Sequence, residues 1–290
     1  MHPILLKVGP ITLYTYGAML VLAFSLSTWL AGRILRQLPP ELQRLTPSQV
    51  VDLSCLALLG GIVGGRLFFV VLHWQFFLDK PQYLLALWQG GLVWYGGFAG
   101  GVGTAWLYAR RHQVSCRWVL DLFAPALALG HAVGRIGCFL NGCCYGKITD
   151  AWCGVIMPGE PRPVFPTQLA ESLGLLFLSI ILRLLQPVLS DLRRPTCFAL
   201  LRKAKQSVRG EAAGGVEGRP SRLANRPGQL FGVYLCGYAV LRFVLEGYRG
   251  DQTVFWASLT LQQLISVAGF VIGAILLLQG CVPNRSSPAS

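Results

Sequence analysis

Residues 11–31 read ITLYTYGAMLVLAFSLSTWLA, an apolar run without a charged side chain. A bilayer core about 30 Å thick takes roughly 20 apolar residues per helical crossing, so this run is long enough for one span. It is longer than the apolar region of a secretory signal peptide, and only Lys7 supplies a basic residue before it. We therefore expect this run to be retained as the first membrane helix.

The composition of the whole chain is typical of a multi-pass membrane protein. Of its 290 residues, 53% are hydrophobic and only 13% are charged, which is too apolar for an ordinary water-soluble protein. Further apolar windows lie at about 50–72, 91–109, 118–141, 168–186, 228–248 and 257–280. The sequence predicts an all-α fold of about seven transmembrane helices in a single membrane-embedded domain, residues 1–290.

The net charge of +13 is explained by the predicted membrane topology. Lys and Arg concentrate in alternate connections, residues 33–49, 110–117, 183–227 and 281–290. The positive-inside rule makes these cytoplasmic, with the N-terminus outside and the C-terminus inside. Because this distribution explains most of the charge, we expect no nucleic-acid partner. Residues 187–227, rich in Arg, Gly, Pro and Ser, are predicted to be a flexible basic cytoplasmic loop, either a solvated linker or a contact for anionic lipid headgroups.

Glycine pairs recur at a spacing of four residues, which places them on one helical face. They are Gly60/Gly61, Gly64/Gly65, Gly96/Gly97 and Gly100/Gly101. Small residues at this spacing let helix backbones approach closely in a membrane. We predict that these glycines serve helix packing.

Several ionisable residues fall inside the predicted spans, where a charge is costly and usually functional. They are Arg66, Asp121, His131, Arg135, Glu171, Arg242 and Glu246. The guanidinium fork suits bidentate contact with phosphate, and a phospholipid headgroup is the natural phosphate at that depth. Alternatively, each arginine pairs with a carboxylate or a helix-end carbonyl as a buried strut. Arg242 and Glu246 are one turn apart and are expected to pair.

A polar signature ends the fourth predicted span: Gly134-Arg-Ile-Gly-x-Phe-Leu-Asn-Gly-x-x-Tyr-Gly146. Further motifs lie on both sides of this signature, in chain order: Tyr16-Gly17, Gly64-Gly-Arg66, Gly90-Gly-Leu-Val-Trp-Tyr-Gly-Gly97, Pro166-Thr-Gln-Leu-Ala-Glu171 and Arg242-Phe-Val-Leu-Glu246. In these motifs the chain resembles the bacterial prolipoprotein diacylglyceryl transferases. The resemblance covers nearly the whole chain outside the 187–227 loop.

The resemblance implies a multi-pass enzyme of the bacterial inner membrane, surrounded by membrane lipids and working without a metal or organic cofactor. Its substrates would be phosphatidylglycerol and prolipoprotein lipobox peptides. The diacylglyceryl group would move to the lipobox cysteine thiol as a thioether, releasing glycerol phosphate in the first step of lipoprotein maturation.

The same resemblance assigns roles to residues of this chain. Arg135 and Arg242 would grip the phosphate, Glu246 would orient Arg242, and Tyr95 occupies a catalytic position. The expected substrate-binding residues are Tyr16, Arg66, Asn141, Gly146 and Glu171. For Glu171 the alternative is a helix-start charge near the positive end of the dipole.

The chain departs from the family pattern within these motifs. Tyr95 stands where the best-studied enzymes place a histidine proposed as general base, and a free tyrosine is neutral at pH 7. Cys138 replaces an asparagine, Cys143 an acidic residue, and Ala170 a tyrosine. The changes at Tyr95, Cys138 and Cys143 leave open a diverged paralogue with altered activity. Independently of them, the same buried arginines could form the anion site of a membrane anion or lipid transporter.

The four cysteines Cys138, Cys143, Cys144 and Cys153 are predicted near the outer face. An oxidising compartment there favours a disulfide, although the sequence does not identify a pairing. Metal binding is disfavoured because the spacing lacks paired C-x-x-C arms, so we expect no metal site.

Overall fold

The computed structural model describes residues 4–8, 11–86, 90–192, 227–249, 254–256 and 259–281. Within these residues the chain forms eight α-helices: α1 Thr15–Gln37, α2 Pro47–Leu72, α3 Trp74–Asp79, α4 Trp94–Arg111, α5 Cys116–Asn141, α6 Thr167–Leu192, α7 Gln229–Glu246 and α8 Leu261–Cys281. Two antiparallel hairpins accompany them: β1 (Ile4–Val8) pairs with β2 (Ile11–Tyr14), and β3 (Val254–Trp256) pairs with β4 (Leu259–Thr260).

The described chain is mostly helical and has the make-up of a multi-pass membrane protein, as the sequence predicts. Among the described residues, six helices are long and apolar enough to cross a bilayer: α1, α2, α5, α6, α7 and α8. Helix α4 is not one of them, and its sequence is rich in glycine and ends in Arg110 and Arg111. The seventh span and the outside position of the N-terminus stay predictions.

Several helix boundaries differ from those predicted. The first apolar window begins as strand β2, where the β-branched Ile11 and Thr12 and the aromatic Tyr14 favour extended backbone, and α1 then continues to Gln37. The last window likewise begins as strand β4, before α8 starts at Leu261. Helix α6 continues through Leu192, so the predicted loop was wrong for residues 187–192. Residues 193–226 of that loop lie outside the described residues.

The chain divides into two compact units, one of residues 28–119 and the other of residues 1–27 and 120–290. In the first unit α2 and α4 pack through glycines. A Cβ atom added at Gly64 would collide with the Gly96 carbonyl, and one added at Gly100 would collide with the Gly60 carbonyl. The predicted glycine packing is confirmed for this helix pair.

In the second unit α5 is hydrogen-bonded to both of the helices that flank it. Ser27 of α1 donates to the Ala126 carbonyl at 2.8 Å, and Ser179 of α6 donates to the Pro125 carbonyl at 2.8 Å. Such interhelical bonds supply specificity where lipid removes the hydrophobic drive for helices to associate. Buried apolar side chains complete the contact: Ala124, Ala128, Leu178, Leu182 and Leu230.

The start of α7 is fixed by a carboxylate from α5. Asp121 is 5% exposed and accepts hydrogen bonds from the backbone N–H groups of Gly228 at 2.7 Å and Phe231 at 2.9 Å. It therefore caps two N–H groups that the first helical turn leaves without an intrahelical partner. This intramembrane charge serves helix placement and brings α7 alongside α5.

Candidate functional site

A buried carboxylate joins three membrane helices. Glu171, in the second turn of α6, is 1% exposed. Its Oε1 lies 2.9 Å from Arg135 Nη2 of α5, and its Oε2 lies 3.6 Å from Arg242 Nη1 of α7. The two arginines that the sequence singles out for one task thus meet at a single acidic side chain.

The local packing explains why these helices approach so closely. Ser172 of α6 donates to the Ala132 carbonyl of α5 at 2.9 Å, which ties the two helices together next to Glu171. On the other side, a Cβ atom added at Gly174 would lie 2.6 Å from the Leu241 side chain of α7. The absence of a side chain at Gly174 therefore lets α7 bring Arg242 against Glu171.

Arg242 has a second carboxylate partner on its own helix. Its Nη2 lies 3.0 Å from Glu246 Oε2, one turn later, so the predicted pairing is confirmed. Thr260 donates its hydroxyl to the other oxygen, Oε1, of Glu246 at 3.1 Å. Two carboxylates therefore fix the orientation of the Arg242 guanidinium.

Two aromatic side chains that the predicted site did not include also contact Glu171. The Tyr238 hydroxyl donates to its Oε1 at 3.3 Å, and His131 Nε2 lies 3.7 Å from the same oxygen. The rings of His131 and Tyr238 are 4.9 Å apart. The sequence spacing indicates these contacts, because His131 and Tyr238 each lie one helical turn before an arginine of the site, Arg135 and Arg242 respectively.

We call Arg135, Arg242, Glu171 and Glu246 the charge quartet. Its two positive charges balance its two negative charges, yet not every polar atom is paired. Arg135 Nε and Arg242 Nη1 are buried without a hydrogen-bond acceptor. Buried donors in this state are unusual and costly, so the site can accept the oxygens of an anionic group.

Besides Glu171, three of the predicted substrate-binding residues lie in the same unit as the quartet. Tyr16 of α1 lies against α5, and its phenol is within electrostatic range of Arg135. Asn141 is the last residue of α5, two residues before Cys143. Gly146 is a packing position, because a Cβ atom there would lie 2.6 Å from the Tyr248 carbonyl oxygen.

Arg66 and Tyr95 belong to the unit of residues 28–119. The Arg66 guanidinium is buried, its carbon lies 5.5 Å from the Phe69 ring centre, and it donates to backbone carbonyls throughout the following segment: Tyr83, Leu84, Ala86, Gly90 and Gly91. These contacts fit the strut alternative rather than phosphate binding. Tyr95, the second residue of α4, is 53% exposed.

Three of the four cysteines predicted near the outer face come together at the end of α5. The sulfur atoms of Cys138, Cys143 and Cys144 all lie within 4.8 Å of one another, whereas Cys153 is not part of this group, and all four are free thiols. Contact with the Cys138 and Cys143 thiols, assisted by the Arg249 charge, lowers the pKa of Cys144. Burial and the neighbouring Cys144 raise the pKa of Cys143.

Known proteins are similar to this chain over most of its length. The family described as prolipoprotein diacylglyceryl transferase matches residues 3–202 and 217–279. A relative from Synechococcus elongatus is 29% identical over 99% of this chain and 90% of its own length. Relatives from Pseudoalteromonas atlantica and Trichormus variabilis are 32% identical, over 95% and 99% of this chain and 88% and 92% of their own. All three are called phosphatidylglycerol--prolipoprotein diacylglyceryl transferase. With its signature residues in one helical unit and a family match over most of its length, the chain belongs to the prolipoprotein diacylglyceryl transferase family.

Proposed function

We propose that this protein transfers the diacylglyceryl group of phosphatidylglycerol to the lipobox cysteine thiol of prolipoproteins, in the bacterial inner membrane. The observation that carries the proposal is the meeting of Arg135 and Arg242 at Glu171, where each arginine has one buried nitrogen, Arg135 Nε and Arg242 Nη1, that lacks a hydrogen-bond acceptor. A phosphodiester offers oxygens for both donors. Family membership and the names of the relatives support the same reaction.

The reaction exchanges one bond at a glycerol carbon. The lipobox thiol loses its proton, and the thiolate attacks the glycerol carbon that carries the phosphate ester. A C–S thioether bond forms, the C–O bond breaks, and glycerol phosphate leaves with the electron pair. Negative charge therefore grows on the phosphate in the transition state, where fixed guanidinium donors stabilise it most.

The charge quartet suits this task because its orientation precedes substrate binding. Glu171 and Glu246 hold the arginines in place, so little reorganisation is needed when charge develops. If the N-terminus lies outside and α4 also crosses the membrane, α5 ends at the outer face. The quartet, on the turns before that end, would then be reached from the side on which secreted prolipoproteins present their cysteine.

The thiol proton needs an acceptor, and two residues are candidates. Tyr95 corresponds to the family position of the proposed histidine base. His131 supplies an imidazole beside Glu171, a carboxylate that can orient it and stabilise its protonated form. Comparing Tyr95→Phe with His131→Gln separates them: the variant that lacks the true base loses activity steeply, with a changed pH profile in the residual rate.

The test of the reaction is a reconstitution with phosphatidylglycerol vesicles and a synthetic lipobox peptide. We expect the peptide to gain the mass of one diacylglyceryl group, with release of glycerol phosphate. A peptide with Cys→Ser at the acceptor should not be modified. If the protein binds or moves phosphatidylglycerol but the peptide gains no diacylglyceryl group, a lipid transporter would be favoured instead.

Arginine variants test the site in the same assay. Arg135→Ala and Arg242→Ala should each reduce transfer by at least about 100-fold, the effect of losing one donor to a developing negative charge. Arg162→Ala, an exposed arginine outside the quartet, is the matched control and should transfer normally. Normal turnover by either quartet variant, with the protein still in the membrane, would reject its assigned role.

A further inference from the structure

Three cysteine thiols converge just beyond the charge quartet, and the transfer reaction proposed above does not use them. We propose that Cys138, Cys143 and Cys144 form a binding site for one thiophilic cation, Zn²⁺ or Cu⁺. The linear spacing of these residues argues against a metal site. The fold nevertheless brings the three sulfur atoms together, because the chain reverses direction immediately after α5.

The distances between the sulfur atoms match those of a mononuclear site. All three lie within 4.8 Å of one another, and the Cys143 and Cys144 sulfur atoms are 3.6 Å apart. With Zn–S bonds of about 2.3 Å and tetrahedral angles, bound thiolates lie roughly 3.8 Å apart. Small side-chain rotations therefore suffice to close the three sulfur atoms around one ion.

The turn that carries the thiols is held by several hydrogen bonds. Cys143 N–H donates to the Cys138 carbonyl at 3.1 Å. From the start of α6, Gln168 Nε2 donates to the Cys143 carbonyl at 2.6 Å, and Thr167 donates to the Cys144 carbonyl at 2.8 Å. Cys144 has a φ of +66°, a left-handed conformation that non-glycine residues rarely adopt and that clusters at functional sites. The thiols are thus preorganised by backbone contacts.

The donor set selects the class of cation. All three ligands are sulfur, with no carboxylate or imidazole in the group, and soft ligands of this kind select Zn²⁺ and Cu⁺ over Mg²⁺ or Ca²⁺. Arg135 and Arg249 lie within electrostatic range of Cys144. Because Glu171 already balances the Arg135 charge, the Arg249 charge is the one that offsets part of the negative charge that three thiolates and one mono- or divalent cation leave behind.

A disulfide among these cysteines would bond only two of the three sulfur atoms. Three thiols are an odd number, so any disulfide among them leaves one sulfur atom unpaired. Cys143 and Cys144 are consecutive, and their Cα atoms, about 3.8 Å apart across a trans peptide, are closer than the usual disulfide range. A single cation engages all three sulfur atoms.

The test uses the full-length protein, purified in detergent, fully reduced and stripped of metal with a chelator. It is then titrated separately with Zn²⁺ and with Cu⁺ held in a chromogenic chelator, and bound metal is measured by atomic emission. We expect about one ion per chain with at least one of the two cations. Binding of only one supports the site and identifies its cation.

Cysteine variants locate the bound ion. Cys138→Ser, Cys143→Ser and Cys144→Ser should each weaken binding by at least about tenfold, and metal should raise the melting temperature of the wild type but not of the triple variant. Cys153→Ser, in the same loop but outside the group, should behave as wild type. The proposal fails if reduced wild-type protein takes up no metal, or if the triple variant binds as the wild type does.

Discussion

Glu171 gives the sharpest test of the charge quartet, because one substitution removes its charge with almost no change of shape. Glu171→Gln keeps an acceptor for one neighbour but no longer balances the buried guanidinium of Arg135. Arg242 retains Glu246 at 3.0 Å, so the larger loss falls on Arg135, whose contact with Glu171 is 2.9 Å. We expect both stability and catalysis to fall.

The size of the effect follows from burial. The Glu171 side chain is 2% exposed and the Arg135 side chain 17% exposed. Removing one partner of a buried ion pair costs about 3–5 kcal/mol, and the partial exposure of Arg135 places this pair at about 3 kcal/mol. For a protein of this size, that corresponds to a melting temperature lower by roughly 6–12 °C. A misdirected phosphate donor should reduce kcat by about 100-fold.

The measurement combines thermal unfolding in detergent with peptide modification in phosphatidylglycerol vesicles, below the melting temperature of the variant. Glu160→Gln is the matched control. Glu160 accepts a hydrogen bond from Tyr145 at 2.8 Å in the segment between α5 and α6 and is not a member of the quartet, so its effect should be small on both readouts. An unchanged kcat in Glu171→Gln would refute an orienting role, and an increased rate would mean that Glu171 competes with the phosphate.

Three further predictions concern the scaffold. Arg66→Lys removes the planar guanidinium that donates to several backbone carbonyls, so we expect the free energy of unfolding to fall by about 2 kcal/mol. Thermal unfolding measures this loss, and an unchanged melting temperature would contradict the strut role. Gly100→Val should lower stability by about 1–3 kcal/mol by forcing α2 and α4 apart, whereas Gly103→Val, with open space around its Cβ position, should not; equal effects would contradict glycine packing. Asp121→Ala should cost about 1–2 kcal/mol through the lost cap of α7, seen as faster proteolysis after residue 226, and normal resistance would rule the cap out.

The helical plan is predictable from sequence because apolar length reports spans directly. The six helices of sufficient length and hydropathy each overlap one of the predicted windows, although several begin or end outside it. The hairpin β1–β2 was missed because a run such as Ile11–Tyr14 is apolar whether it is strand or helix. The extension of α6 to Leu192 was missed because Pro187 and a polar composition resemble the start of a loop.

The site was predictable where two partners share one helix, as with Arg242 and Glu246. Contacts between helices depend on rotation and depth, which the sequence does not report. Tyr238 was missed for this reason, and Glu171 was expected only as a substrate contact or a helix-start charge, although it joins both arginines. The thiol group was missed because a turn with left-handed backbone brings its members together.

The electrical balance of the charge quartet has a consequence for how such a chain can change over time. Two arginines and two glutamates are inserted into the bilayer as a neutral set. Replacing any single member with a neutral residue therefore leaves one unbalanced charge in the membrane interior. We therefore expect tolerated changes to come in opposite-sign couples, with an arginine and a glutamate disappearing together. A family member that lacks one of the four should then lack a second, and such a pair of losses would mark a chain that no longer handles phosphate.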